Sequence, residues 1–139
     1  MIAVDTNIFV YSVDAAEPAR RAKAAQLLAD LQKDPEPTIL LWQVLVEIGA
    51  VLSRKGAKGQ LSVPIEALVS AWLGLFKLQL PSQAVALDVW RLIDLHQLSY
   101  FDALIISACI DSGVSKLYSE DLPGKPAIEG VQIIDPFTT

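Results

Sequence analysis

The chain has 139 residues, of which 53% are hydrophobic and 19% are charged, and its formal net charge is -5. This length fits one compact domain spanning residues 1–139, and the apolar content excludes a disordered linker or tail. The acidic balance argues against a protein that coats nucleic acid through its charge alone. The sequence lacks an uninterrupted apolar stretch of membrane-spanning length, a basic secretory start and a disulfide partner for Cys109, so we expect a cytoplasmic protein.

Short apolar segments alternate along the chain with segments of helical composition and periodicity. Asp5, Thr6 and Asn7 follow the first apolar segment and are predicted to form a turn. The predicted strands cover residues 2–4, 38–42, 77–80, 114–119 and 131–134. The predicted helices cover residues 18–33, 43–55, 65–76, 82–95 and 100–112.

Individual residues mark several of these boundaries. Ser62 is predicted to cap the third helix, with Pro64 in its first turn, and Gly113 is predicted to close the last helix. A turn-rich loop containing Pro123 is expected before the final strand. Alternating strands and helices predict an α/β fold, a three-layer α/β/α sandwich with a central parallel sheet. Ligands bind such sheets at the carboxyl ends of the strands, which is where Asp5 is expected.

Three acidic residues stand alone in apolar segments. Asp5 is the only charged side chain in residues 1–13, Glu47 the only one in 37–53, and Asp102 the only one in 97–110. On a helix, Glu47 shares the apolar face of Val44 and Ile48. A buried, unpaired carboxylate is costly, and a divalent cation shared by several carboxylates removes that cost. We therefore expect a Mg²⁺ or Mn²⁺ site, with a fourth acid from Glu120 or Asp121, between which the residues do not decide.

Each acid also has a purely structural interpretation. Asp5 fits a turn, Asp102 fits a capping box with Ser99, Glu47 would face solvent if the apolar stripe were displaced by one position, and Glu120 and Asp121 fit a solvated turn. A single histidine, His96, predicted at a helix end, excludes the usual structural zinc site. No glycine-rich phosphate loop is present. The tryptophans are predicted to lie in the core, at positions 42, 72 and 90.

Four motifs in order along the chain resemble those of PIN domains, and specifically the VapC-type toxins of toxin–antitoxin pairs. They comprise Asp-Thr-Asn-Ile-Phe-Val-Tyr at 5–11, the helix at 43–55, Leu-Ser-Tyr-Phe-Asp-Ala-Leu-Ile-Ile at 98–106, and Leu-Tyr-Ser-Glu-Asp-Leu at 117–122. The segments 130–131 and 135–137 extend the resemblance, although the family often has asparagine where this chain has Asp135.

The resemblance implies a Mg²⁺- or Mn²⁺-dependent endoribonuclease in which a metal-activated water attacks a phosphodiester. Its implied catalytic and metal-binding residues are Asp5, Glu47, Asp102 and Asp121, with possible support from Thr6, Asn7, Ser119 and Glu120. The implied partners are RNA, a cognate antitoxin and a second copy of the chain. Phosphate contacts are expected from basic residues, namely Arg20, Arg21, Lys23, Arg54, Lys55 and Lys58. The alternative is a non-catalytic PIN-like interaction module.

Overall fold

The structure, a computed structural model, describes residues 1–122 and 124–138. Within those ranges the chain forms six strands: β1 Ile2–Val4, β2 Thr38–Leu41, β3 Lys77–Gln79, β4 Lys116–Tyr118, β5 Ala127–Ile128 and β6 Val131–Ile134. The six helices in the same ranges are α1 Thr6–Tyr11, α2 Pro18–Lys33, α3 Trp42–Ala57, α4 Ile65–Leu75, α5 Gln83–His96 and α6 Tyr100–Ser112.

The strands form one sheet in the order β3-β2-β1-β4-β6-β5. All pairings are parallel except that of β5 with β6, so the sheet is mainly rather than wholly parallel. The chain runs from β1 outward through β2 to β3 and then returns to the other side of β1 as β4. The connections that follow β1 and β4 therefore lead to opposite sides of the sheet, which creates a crevice at the carboxyl ends of these two strands.

The register of β1 and β4 brings two distant segments to the same edge of the sheet. Val4 pairs with Tyr118, so the two strands end level with each other and are followed by Asp5 and Ser119, respectively. The backbone N–H of Asp5 extends the ladder by donating to the carbonyl of Tyr118 at 2.9 Å. The fold thus fixes the backbone positions of Asp5 and Ser119 through ordinary sheet hydrogen bonds.

Helices flank the sheet, as the α/β prediction requires. Helix α1 packs against α2 and α3, α3 also packs against α4, and α5 packs mainly against α6. The buried core combines the central strands with the inward residues of these helices, including Ile8, Val44, Ile48, Leu92 and Ile106. The predicted α/β architecture is confirmed.

The sequence prediction missed two short elements, α1 and β5. The predicted turn at Asp5–Asn7 is wrong: Asp5 caps α1, and its side chain accepts a hydrogen bond from the Thr6 backbone N–H. Six residues are too few to show a helical period in the sequence. Helix α1 is stabilised instead by its packing against α2 and α3. The two-residue strand β5 pairs antiparallel with β6. Pro123, expected in the preceding loop, lies outside the described residues.

The predicted Ser62 cap is also wrong. Helix α4 begins after Pro64, which occupies the N-cap position in an extended conformation and makes no side-chain capping hydrogen bond. Because Pro64 fixes its own backbone, it defines the start of the helix without a capping hydroxyl.

The prediction of three core tryptophans holds for Trp72 but not for the other two. Trp42 is 44% exposed and Trp90 is 60% exposed. On α5, Val85, Val89 and Leu92 form the buried stripe, and Trp90 lies outside it. Apolar character alone does not distinguish a core face from an exposed apolar face.

Among the described residues, no single helix is long and apolar enough to cross a membrane. Helices α5 and α6 satisfy the criteria of length and composition only as a pair, and the two are bent by 117°.

Candidate functional site

Asp5 follows β1 at the crevice, and two groups hold its carboxylate. Its Oδ1 accepts from the Thr6 backbone N–H at 2.7 Å, and its Oδ2 accepts from the hydroxyl of Ser119 at 2.8 Å. The Ser119 side chain is itself buried. Burial is the main reason that the pKa of Asp5 rises to about 6, opposed by these two hydrogen bonds and increased further by the charges of Asp121 and Glu47.

Glu47 reaches the same crevice from the second turn of α3. The hydroxyl of Thr6 donates to Glu47 Oε2 at 3.2 Å, so Thr6 contacts both Asp5 and Glu47. Glu47 Oε1 accepts from the side-chain amide of Gln43 at 2.7 Å. Val44, Ile48 and Leu52 form the buried face of α3 as predicted, and Glu47 lies half-buried beside it.

Asp121 is joined to the crevice through α1 and through its own loop. The side-chain amide of Asn7 donates to Asp121 Oδ2 at 2.8 Å, and the Asp121 backbone N–H donates to the Ser119 hydroxyl at 3.1 Å. Burial raises the pKa of Asp121, and so do the nearby charges of Glu120, Asp102, Glu47 and Asp135, in that order. Asp121 therefore lies within electrostatic reach of Glu47 and Asp102.

Asp102 stands in the first turn of α6. The Ser99 hydroxyl accepts a hydrogen bond from the Asp102 backbone N–H at 3.3 Å, which confirms Ser99 as the predicted cap. Capping uses the backbone N–H of Asp102, and its carboxylate has no hydrogen-bond or ion-pair partner among the described residues. The structural and functional interpretations of Asp102 are therefore compatible.

Gln43 is a site neighbour that the sequence interpretation did not include. Its Nε2 donates both to Glu47 Oε1 at 2.7 Å and to the backbone carbonyl of Phe101 at 3.1 Å, linking α3 to the residue before Asp102. Its Oε1 is buried without a hydrogen-bond partner among the described residues. The signal for Gln43 was its position one helical turn before Glu47, on the same face of α3.

Glu120 is bound by groups other than those that hold Asp5, Glu47 and Asp121. Its two carboxylate oxygens accept hydrogen bonds from the hydroxyl of Tyr11 and from the guanidinium of Arg20. Asp121, in contrast, is hydrogen-bonded to Asn7 of α1. Of the two acids between which the sequence physics did not decide, Asp121 is the one on the crevice side.

The ion pairs of the described residues leave the four crevice acids without a cation. The pairs within the chain join Glu36, Glu120, Asp14, Asp88 and Glu129 to basic groups. No ion pair found in residues 1–122 and 124–138 includes Asp5, Glu47, Asp102 or Asp121. The crevice therefore carries negative charge that the described residues do not neutralise.

Two residues expected to contact phosphate have other partners. Arg20 pairs with Glu120, and Lys55 pairs with Asp14 at 2.8 Å. Asp14 is only 2% exposed, and the hydrogen bond from Lys55 is the main cause that lowers its pKa. Sequence patterns did not indicate this buried pair, because Asp14 lies in the segment between α1 and α2 and Lys55 lies on α3.

The donor set fits a hard divalent cation. Carboxylate oxygens are hard ligands of the type that Mg²⁺ prefers, and the site offers those of Asp5 and Glu47, with Asp121 nearby. In the part of the chain that the structure describes, no three His, Cys, Asp or Glu side chains are grouped closely enough to coordinate a metal together. Mg²⁺ usually takes one or two carboxylates directly and keeps several waters, so the crevice fits that mode of binding.

A mainly parallel sheet with unneutralised carboxylates at its carboxyl edge defines this chain as an α/β domain with an acidic site. The chain belongs to the PIN-domain family, whose model matches residues 2–122. A comparison with curated proteins gave no match.

Three solved structures with the same fold are a toxin and two toxin–antitoxin complexes. VapC20 of Mycobacterium tuberculosis, described as a toxin that cleaves the sarcin-ricin loop, is 20% identical with a TM-score of 0.67 over 87% of this chain and 90% of that one. A toxin–antitoxin complex from Klebsiella pneumoniae is 19% identical, with a TM-score of 0.69 and full coverage of both chains. VapBC2 of Rickettsia felis, bound to a promoter DNA fragment, is 19% identical with a TM-score of 0.66 over 96% and 97% of the two chains.

Proposed function

We propose that this chain is a divalent-metal-dependent endoribonuclease that cleaves RNA phosphodiester bonds and serves as the toxin of a toxin–antitoxin pair. The observation that carries this proposal is the pair of carboxylates at the carboxyl edge of a PIN-type sheet, Asp5 and Glu47, which Thr6 links and no ion pair of the described residues neutralises. A non-catalytic interaction module has no evident need for a carboxyl group such as that of Asp5, whose burial raises its pKa.

The four acids, Asp5, Glu47, Asp102 and Asp121, would hold Mg²⁺ or Mn²⁺. When bound, such an ion lowers the pKa of a water ligand and neutralises charge that develops on the phosphate. Ser119 and the Thr6 backbone orient the Asp5 carboxylate, and the Thr6 hydroxyl orients Glu47. Asn7 orients Asp121. These neighbours fix the carboxylates before substrate arrives, which reduces the reorganisation that the reaction requires.

The proposal is tested by incubating the purified protein with single-stranded RNA and with DNA of the same sequence, in Mg²⁺ or Mn²⁺ and then in chelator. We expect RNA cleavage that requires the metal and is lost in Asp5→Asn. The matched control is Asp94→Asn, which neutralises an exposed acid of α5 away from the crevice. Cleavage that persists in Asp5→Asn, or that survives chelation, contradicts the proposal, and a chain without nuclease activity favours the interaction module.

We propose a cognate antitoxin as a protein partner, because two of the solved relatives are toxin–antitoxin complexes. Co-expression tests this partnership: a neighbouring open reading frame whose product binds the chain and inhibits RNA cleavage is the expected finding. A single functional domain over residues 1–139 and a cytoplasmic location are part of the same proposal.

A second copy of the chain is proposed to cover an exposed apolar surface beside the crevice. A cavity of about 310 Å³ is lined by apolar residues that include Trp42, Val46, Leu80 and Phe101, and also by Glu47. Tyr100 extends this surface, since its ring lies 5.3 Å from that of Phe101 and 5.6 Å from that of Trp90. Contiguous exposed apolar surface of this kind is typical of interfaces.

Sedimentation of the purified protein tests this proposal. We expect a dimer for the wild-type chain and a monomer for Trp90→Asp, which places a charge on the apolar surface. Ala19→Asp serves as the control, because Ala19 is an exposed residue of α2. A monomeric wild-type chain contradicts the proposal.

A further inference from the structure

The loop that carries Asp121 is attached to the rest of the protein through its neighbour Glu120. Glu120 Oε1 accepts a hydrogen bond from the Tyr11 hydroxyl at 2.7 Å, and Glu120 Oε2 pairs with the guanidinium of Arg20. The Glu120 side chain is only 16% exposed. Because both of its carboxylate oxygens are engaged, Glu120 functions as an anchor of the loop.

Arg20 is itself fixed by two aromatic rings. Its Cζ lies 5.2 Å from the centroid of the Tyr11 ring and 4.9 Å from that of Phe137. The two rings meet edge to face, with centroids 5.4 Å apart and an interplanar angle of 88°. A guanidinium in contact with two aromatic faces and a carboxylate has little freedom to turn toward another ligand. We call Tyr11, Arg20, Glu120 and Phe137 the Glu120 clamp.

The clamp and the crevice hold successive residues of the same three-residue loop. Ser119 is bound to Asp5 and Asp121 is bound to Asn7, both on the crevice side. Glu120, between them in sequence, is bound by Arg20 and by Tyr11, which lies one helical turn after Asn7 on α1. Loss of the clamp would release the middle of the loop and also leave an unpaired negative charge next to Asp121.

We propose that Arg20 is a positioning residue that fixes Asp121 for metal binding through the Glu120 clamp, rather than a contact for RNA phosphate. This inference depends on the proposed metal-dependent nuclease function. It also gives the C-terminal segment that follows β6 a role in positioning the site, because Phe137 of that segment contacts Arg20. It also assigns to Glu120 a structural function distinct from the four crevice acids.

The experiment compares Arg20→Gln and Arg20→Lys with Arg91→Gln, a matched control that breaks the exposed pairs of Arg91 with Asp88 and Glu129. Three properties are measured: Mn²⁺ affinity by calorimetry, hydrogen exchange of backbone amides 119–122, and kcat and KM for RNA. We expect Arg20→Gln to weaken Mn²⁺ binding and lower kcat by about tenfold, as is usual for residues that orient metal ligands. Exchange in the loop should increase, and KM for RNA should stay within about twofold.

The conservative variant separates positioning from charge. Arg20→Lys retains a cation beside Glu120 but lacks the planar guanidinium, so we expect partial rescue of Mn²⁺ affinity. Should Arg20→Gln fail to fold, Tyr11→Phe removes a single hydroxyl from the clamp and should change the same three properties in the same direction. Arg91→Gln should leave all three unchanged.

Three results would overturn the inference. One is a raised KM with a weaker salt dependence at unchanged Mn²⁺ affinity, which identifies Arg20 as a phosphate contact. Another is an equal loss of Mn²⁺ affinity in Arg91→Gln, and a third is no change in any property of Arg20→Gln. A wild-type protein that binds Mn²⁺ but cleaves no RNA contradicts only the proposed nuclease function, because Mn²⁺ affinity and loop exchange still test the clamp.

Discussion

The hydroxyl of Ser119 donates a 2.8 Å hydrogen bond to Asp5, although 114 residues separate them in the chain. The contact exists because β1 and β4 are neighbours in the sheet and end at the same level. It joins the two segments that supply Asp5 and Asp121, and it partly offsets the cost of burying the Asp5 carboxylate. The energetic consequences of this arrangement can be measured directly.

Replacing Asp5 with Asn should stabilise the metal-free protein at neutral and higher pH. Burial raises the pKa of Asp5 from 3.8 to about 6, so the folded state holds this proton more tightly than the unfolded state. Stability therefore falls as the pH rises from about 4 to about 6, and the full cost of roughly 3 kcal/mol applies above that range. Urea unfolding in chelator at pH 4 and pH 8 measures the difference.

We expect Asp5→Asn to exceed the wild-type stability at pH 8 but not at pH 4. Asp94→Asn, the exposed control, should show no such dependence on pH. If the difference in stability between Asp5→Asn and the wild type were the same at both pH values, titration of Asp5 would not be its cause.

Replacing Ser119 with Ala should reduce both stability and metal affinity. The buried Asp5 oxygen would lose its donor, which costs about 1–3 kcal/mol in the free energy of unfolding. Metal binding should weaken by about tenfold, because Ser119 orients Asp5. Unfolding in chelator and calorimetry with Mn²⁺ measure the two effects.

Ser107→Ala provides a matched control for this variant. The Ser107 hydroxyl is also buried and donates to the carbonyl of Val85 at 2.9 Å, between α5 and α6. We expect Ser107→Ala to lower stability while leaving Mn²⁺ affinity unchanged. Equal losses of Mn²⁺ affinity in both variants would show that Ser119 acts only through general stability.

Replacing Lys55 with Met should destabilise the protein by about 3 kcal/mol at pH 7, because it leaves the buried Asp14 carboxylate unpaired. The hydrogen bond from Lys55 lowers the pKa of Asp14, so the stabilising contribution is complete above the unfolded value of about 3.9. It is lost as the pH falls through the lower folded pKa. In thermal unfolding, the stabilities of the wild type and Lys55→Met should converge as the pH is lowered through the acidic range.

Lys58→Met is the control for this pair, because Lys58 is an exposed residue near the same end of α3. The stability of Lys58→Met should match that of the wild type at every pH tested. If Lys55→Met leaves stability unchanged but weakens RNA binding, the role of Lys55 is that of a phosphate contact, and the ion pair with Asp14 contributes little.

Divalent metal should stabilise the wild-type protein against heat. A ligand that binds only the folded state contributes about 2.7 kcal/mol when its concentration is one hundred times its Kd. We expect Mn²⁺ to raise the Tm of the wild type and to have little effect on Asp5→Asn. An equal rise in both proteins would indicate that Mn²⁺ binds elsewhere.

The helices of regular periodicity could be predicted from sequence to within a few residues. Helices α2 and α6 have the predicted bounds, and α5 is displaced by one residue at each end from the predicted range of 82–95. The elements that were missed, α1 and β5, have six and two residues and carry too few positions to show a period. Their stability comes from packing on α2 and α3 or from pairing with β6, which are tertiary contacts.

Sequence by itself determined which acids are unusual, because a lone carboxylate in an apolar segment is visible without any coordinates. It indicated Asp5, Glu47 and Asp102 in this way. Only the tertiary structure decided their neighbours: Thr6 between Asp5 and Glu47, Asn7 beside Asp121, and Arg20 engaged by Glu120. The physical reason is that local composition governs burial and periodicity. Contacts between distant residues instead depend on strand order and register, which no single segment of the chain encodes.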